Sequence, residues 1–133
     1  MKNIHRKPSA YIVFAHGSSI ESANEAVRVV AAEMARRGDY PIVEAAFLEG
    51  GKPDLAAAVD TAIAHGAERV IVVPYFLTLG LHLQRDLPKL VDQARARHPE
   101  LEIEVTPPLD GHPAMVEALL GRARDAAPHE KRT

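Results

Sequence analysis

Four short apolar runs alternate with segments whose apolar residues recur at helical spacing. Ala10-Tyr11-Ile12-Val13-Phe14-Ala15 is β-branched and aromatic and ends at His16-Gly17-Ser18. It predicts a buried strand closed by a tight turn. Ser22 to Arg37 carries Ala23, Ala26, Val27, Val30 and Met34 along one helical stripe. Arg28, Arg36 and Arg37 lie largely off that stripe, and Gly38 stands where such a helix stops. Pro41 to Leu48 is the second strand. Gly50-Gly51-Lys52-Pro53-Asp54 breaks it, and Pro53 suits the first turn of the next helix. That helix carries Leu55, Ala58, Val59, Ala62 and Ile63 and stops near Gly66.

Arg69-Val70-Ile71-Val72-Val73 is nearly all apolar, as befits a central strand covered on both faces. The loop that follows, Pro74 to Leu81, is apolar where loops are normally polar. A helix from about His82 to Arg97 carries Leu83, Leu87, Leu90, Val91 and Ala94. Pro88 within it predicts a looser turn first, with the regular helix starting near the proline. Leu101 to Val105 alternates like an edge strand with one wet face. His112-Pro113 opens a last helix through Val116, Leu119, Leu120 and Ala123.

This βα alternation predicts an α/β fold: one domain over residues 1–133 with a four-stranded parallel sheet and helices on both faces. The first and third runs are the candidates for the centre, which gives the strand order 2-1-3-4. The core is expected over about residues 10–125, with flexible ends and a frayed tail from Pro128 to Thr133.

Composition removes several function classes. The net charge of −2 offers nothing to nucleic acid or to an anionic membrane. The chain has no cysteine, so thiolate chemistry, Cys-based metal sites and disulfides are excluded. The basic start is followed by an apolar run too short for a signal peptide, and no stretch reaches the roughly 18 apolar residues of a membrane span. A cytoplasmic protein is expected.

In open parallel sheets, ligands bind beyond the carboxyl ends of the strands. His16-Gly17-Ser18, Phe47-Leu48-Glu49 and the apolar loop with His82 all arrive there, with His112 farther out. His16 reads either as a loop-bonding histidine or as a ligand. Gly17 reads as a positive-φ turn residue and Ser18 as a helix-start hydroxyl. A serine triad is disfavoured, because the Gly-x-Ser-x-Gly elbow is absent. His82 stands four residues before Asp86, on one helical face. Asp86 either orients the imidazole of a metal ligand or forms an ordinary surface pair with it. Glu49 is either a further metal-binding or proton-accepting group or a solvated acid. Phe76, Leu77 and Leu79 suit a flat apolar partner, a subunit contact or the core. His5, His65, His98 and His129 read as surface histidines.

Taken in order and spacing, these segments resemble the small CbiX-type sirohydrochlorin chelatases of the class II chelatase superfamily. The resemblance runs from about Tyr11 to Arg124. It is carried by His16-Gly17-Ser18, by Glu44-Ala45-Ala46-Phe47-Leu48-Glu49 with Pro53, and by Val72-Val73-Pro74-Tyr75-Phe76-Leu77. Gly80, His82, Asp86-Leu87-Pro88, Pro107-Pro108-Leu109 and His112-Pro113 complete it.

The resemblance implies insertion of a divalent metal (cobalt, iron or nickel) into a sirohydrochlorin-type tetrapyrrole, with the metal as substrate and no organic cofactor. It carries the metal-binding roles onto His16 and His82. With Glu49 these make the candidate catalytic set, and Ser18, Phe76, Leu77, Leu79, Gly80 and Arg85 are the candidate substrate contacts. Arg85 or Lys89 would meet peripheral carboxylates. Longer relatives hold two such halves across a cleft, so a half-sized chain is expected to pair as a homodimer. Two departures stand out. The family's Gly-His-Gly-Ser-Arg reads Ala15-His16-Gly17-Ser18-Ser19, and its Pro-Leu-Gly reads Pro108-Leu109-Asp110. A lost cation and a gained acid keep a second reading open, a non-catalytic metal- or tetrapyrrole-binding carrier or sensor. A phosphate-handling histidine enzyme ranks below both, since Ala15 and Gly17 flank His16 where an arginine would be wanted.

Overall fold

The computed structural model describes residues 7–131, with side chains described over 7–126. The expectations for His5, for the flexible amino-terminal end and for the last two residues lie outside the described residues. So does the side chain of His129. The elements are β1 (Ser9–Ala15), α1 (Glu21–Gly38), β2 (Val43–Phe47), α2 (Leu55–Ala64), β3 (Arg69–Pro74), α3 (Leu81–Arg97), β4 (Glu102–Val105) and α4 (Pro113–Lys131). All four strands pair in parallel in the order β2-β1-β3-β4. The most apolar runs occupy the centre, because only central strands are covered on both faces.

Two cores sit on the two faces of the sheet. On one face, Ala10, Ile12 and Phe14 of β1 and Val70 and Val72 of β3 pack under α2 and α3 through Leu55, Val59, Leu83, Leu87 and Val91. On the other, Val13, Ala15, Ala45 and Phe47 pack under Val27 and Ala31 of α1. The alternation of side chains along β1 supplies both sets.

Several local expectations are corrected. The buried face of α1 is Asn24, Val27 and Ala31; Ala23, Ala26 and Val30 are exposed. Nearly every turn of this helix is alanine- or valine-rich, so contact with the sheet chooses the stripe. Arg28 is only half-exposed: its guanidinium lies 5.5 Å from the Phe47 ring centre and donates to Glu21, Glu25 and the Lys52 carbonyl. Gly38 is the last residue of α1, and the left-handed cap is Asp39 at φ 57°. A Cβ on Gly38 would lie 2.5 Å from the Tyr40 ring, which stacks on Tyr11 at 4.0 Å. The glycine therefore makes room for that ring. Pro53 precedes α2; Asp54 caps the helix, accepting from the Ala57 N–H.

Pro88 does not delay α3, which begins at Leu81. Leu83, Leu87 and Val91 anchor the turns on both sides of the proline to the core, and that burial offsets one missing hydrogen bond. α4 continues through Lys131, where a frayed tail was expected. On its described part Val116, Leu119 and Leu120 are exposed.

Candidate functional site

The pairing of β1 with β2 runs on beyond both strands. Ala15 is registered on Phe47, Leu48 N–H donates to Ala15 O, and in the turn that follows Glu49 N–H donates to His16 O, each at 2.9 Å. His16 and Glu49 are thereby lateral neighbours at the carboxyl edge. Their approach requires glycine at position 17. Gly17 has φ +92°, and a Cβ there would lie 1.7 Å from the Glu49 carbonyl oxygen.

The side chains meet as well. His16 Nε2 lies 3.4 Å from Glu49 Oε2, with both groups open to solvent. His16 Nδ1 is 3.2 Å from the Gly17 carbonyl. A carbonyl only accepts, so this bond needs the hydrogen on Nδ1. A neutral ring then turns the bare Nε2 lone pair towards the carboxylate. Two Lewis-basic atoms facing each other across such a gap make a place for a cation, either a proton or a metal ion.

Ser18 is held within its own loop. Its hydroxyl accepts from the Ile20 N–H at 2.9 Å, and the helix start at Ile20 has no side-chain cap, so Ser18 is not the helix-start hydroxyl. Its backbone is bound on both sides by Asn24, the one polar side chain among the buried residues described. Asn24 Oδ1 accepts from Ser18 N–H at 2.9 Å, while Nδ2 donates to Ser18 O at 2.8 Å and to Gly50 O at 3.1 Å. Sequence reasoning missed Asn24. The available signal was an amide one turn before Val27, on the stripe that the structure buries.

The apolar loop divides its residues. Phe76 and Leu79 are half-buried against the core, with the Phe76 ring 6.1 Å from that of Phe14. Their partial burial follows the alternative in which this stretch of the loop folds back on the core. Leu77 and Leu81 are exposed, as is Tyr75. Leu109 and Asp110 donate their amides to Phe76 O and Leu77 O, so the loop before α4 is tied to this one. Gly80 caps α3 with φ −70°, and a Cβ there would meet open space.

His82 sits in the first turn of α3, exposed and with no hydrogen bond or ion pair. Asp86 does not bond to it, so the expected orienting carboxylate is absent: the two exposed side chains, a helical turn apart, turn to solvent separately. Arg85 and Lys89 are exposed and unpaired on the same helix. Among the described residues no group of three or more His, Cys, Asp or Glu side chains forms a metal cage. The structure brings His16 and Glu49 together and leaves His82 outside that pair.

His65, His98 and His112 have local roles. His112 Nδ1 accepts from the Ala114 N–H at the start of α4, and His65 Nδ1 lies 2.8 Å from the Thr61 carbonyl. His98 is no free surface histidine: its Nε2 lies 2.9 Å from Asp60 Oδ1, beside an Arg97–Asp60 bond of 2.7 Å. The side chains of His98, first, and Arg97 hold the Asp60 carboxyl below the usual carboxylate range. A hollow of about 930 Å³, lined by Lys7, Ser9, Tyr11, Arg69 and Glu102, lies at the amino-terminal ends of the strands, away from His16. An apolar groove of about 400 Å³ runs between α3 and β4 past Leu79, Leu83, Leu87 and Val105.

A family model described as CbiX matches residues 10–126. The sirohydrochlorin cobaltochelatase of Methanocaldococcus jannaschii is 37% identical over 89 residues, 67% of this chain and 62% of that protein. The chloroplastic sirohydrochlorin ferrochelatase of Arabidopsis thaliana is 29% identical over 118 residues, 89% of this chain and 52% of that protein. The chain thus matches about half to three fifths of the length of these relatives. Among solved structures, a CbiX protein of Marinobacter aquaeolei aligns over 95% of this chain and 100% of its own, with TM-score 0.76 and 29% identity. The sirohydrochlorin chelatase SirB of Bacillus subtilis, in complex with cobalt, aligns over 88% of this chain and 50% of its own, with TM-score 0.81 and 25% identity.

Proposed function

The chain belongs to the CbiX family, and on that premise we propose that it is a sirohydrochlorin chelatase, a lyase that inserts cobalt, or else iron or nickel, into the tetrapyrrole. The observation that carries this is the pairing of His16 Nε2 with Glu49 Oε2 at an open sheet edge. Insertion exchanges two pyrrole N–H protons for one divalent cation. A neutral imidazole and a carboxylate supply both needs: donors for the ion on arrival and acceptors for the protons on departure. Two solvent-open donors hold a metal loosely, which suits a metal that must be handed on, whereas a closed cage of four would retain it.

His82 completes the reading from α3 as a second imidazole on the same edge. Leu77 and Leu81 offer exposed apolar surface to a flat ring, with Gly80 and Ser18 beside them in the edge loops. Phe76 and Leu79 support that surface from below. Arg85 and Lys89, unpaired, are the cations for peripheral carboxylates. No organic cofactor takes part in this chemistry, and the protein acts in the cytoplasm as one unit spanning residues 1–133. Among the described residues no helix is long and apolar enough to cross a membrane.

The working form is a homodimer. An alignment of 88% of this chain with 50% of the cobalt-bound relative supports a second copy as the other wall of a cleft. Leu77 and Leu81, with the exposed Val116 and Leu119 of α4, are the surface it would cover.

An absorbance time course with sirohydrochlorin and each of Co²⁺, Fe²⁺ and Ni²⁺ tests the activity. Accelerated metalation by one of them supports it. The second reading, a carrier or sensor, draws on Ser19 and Asp110 in place of the family's arginine and glycine; binding of metal or macrocycle without acceleration would establish it instead.

A further inference from the structure

We infer that Asn24 is a positioning residue for the His16–Glu49 pair, acting from α1 through the backbones of two loops. The inference rests on the proposed metal-handling role of that pair. Asn24 is 2% exposed, and its amide makes three hydrogen bonds to the loops that carry the pair, beside a longer 3.5 Å contact from Nδ2 to Glu21 Oε1 on its own helix. The loop after β1 is gripped at both Ser18 N–H and Ser18 O, two residues beyond His16. The loop after β2 is gripped at Gly50 O, one residue beyond Glu49.

The fit around the amide is close on every side. A Cβ on Gly50 would lie 2.9 Å from the Ser18 carbonyl carbon, and a Cβ on Gly51 would lie 2.8 Å from Asn24 Nδ2. Behind it, Arg28 fastens the second loop to the same helix through the Lys52 carbonyl. The bond from Glu49 N–H to His16 O aligns the two backbones, and Asn24 fixes the turns that follow. An amide suits this post better than a carboxylate. It must accept one N–H and donate to two carbonyls, and a carboxylate only accepts.

Helix α1 covers the face of the sheet formed by β1 and β2. A buried amide on that face therefore converts helix packing into loop geometry. Removing it frees both turns while leaving His16 and Glu49 in the chain. The affinity of the pair for a cation then falls because its two donors are no longer held at one separation.

The test is a Co²⁺ titration of the whole chain, read by the visible absorption of bound cobalt and by calorimetry, with thermal unfolding in parallel. The variants are Asn24→Ala, Asn24→Asp, Gly51→Ala, Glu49→Gln, His16→Ala and the double variant Asn24→Ala with Glu49→Gln. Asn24→Ala and Asn24→Asp should each weaken Co²⁺ binding about 10-fold and alter the cobalt spectrum, by analogy with the loss of groups that orient metal ligands. Gly51→Ala, which crowds the amide without deleting it, should shift both in the same direction and serves if the Asn24 variants do not fold. In the Glu49→Gln background, Asn24→Ala should cost little more. A folded Asn24→Ala that binds Co²⁺ with wild-type affinity and spectrum overturns the inference. So does full additivity in the double variant. If His16→Ala also binds as the wild type does, the failure lies with the His16–Glu49 reading itself.

Discussion

His16 Nε2 faces Glu49 Oε2 across 3.4 Å because a backbone bond, Glu49 N–H to His16 O, joins the two residues just past the ends of their parallel strands. The site thus begins as a continuation of the sheet. The backbones that carry its donors are separated widely in sequence and by one strand spacing, about 4.8 Å, in space.

His16→Ala should remove most Co²⁺ binding, and Glu49→Gln should weaken it less, since an amide oxygen still ligates but carries no charge. Protons compete with metal for imidazole ligands, so wild-type affinity should fall on acidification. Calorimetric titration at several pH values checks both.

Gly17→Ala places a Cβ 1.7 Å from the Glu49 carbonyl oxygen at φ +92°. The strain and clash together should cost more than about 2 kcal/mol of stability. Co²⁺ binding should be lost with it, because the loops must part. Urea unfolding and a Co²⁺ titration on the same preparation measure the two effects.

Phe76→Ala should destabilise the protein by roughly 2 kcal/mol, since the ring is half-buried against Phe14. Leu77→Ala, at 62% exposure, should change stability by less than about 0.5 kcal/mol. Denaturant midpoints distinguish the supporting residue from the exposed one.

Association should depend on α4 and the exposed loop. Leu119→Glu and Leu77→Glu should each shift the sedimentation profile from dimer towards monomer, with unchanged far-ultraviolet circular dichroism. A wild-type protein that sediments as a monomer at tens of micromolar, with or without tetrapyrrole, would remove the dimer from the proposal.

The Asp60 carboxyl is held below its ordinary range by His98 and Arg97. A depressed folded pKa contributes stability that is present above the ordinary carboxylate value and lost as pH falls through the folded value. Asp60→Asn should therefore be less stable than wild type near neutrality, and the gap should close at acid pH below that range. Thermal unfolding of both proteins across pH measures it; an equal gap at all pH values would show that the ion pairs contribute nothing.

The strands, their parallel pairing and the central places of β1 and β3 were legible in the sequence alone, because burial on both faces demands continuous apolar runs and crossover helices demand their own period. His16 and Glu49 were also legible as residues at the carboxyl edge. Contact between them was not, since it depends on the register of Ala15 on Phe47, which no local pattern records. The same limit governs α1, whose Ala- and Val-rich turns offer several apolar stripes of similar strength. Only packing on the sheet selects Asn24, Val27 and Ala31. Asn24 looks like surface in the sequence because a polar side chain alone is costly to bury. It is buried because tertiary structure delivers Ser18 and Gly50 to its amide, and hydrogen bonds to them replace those it would make to water.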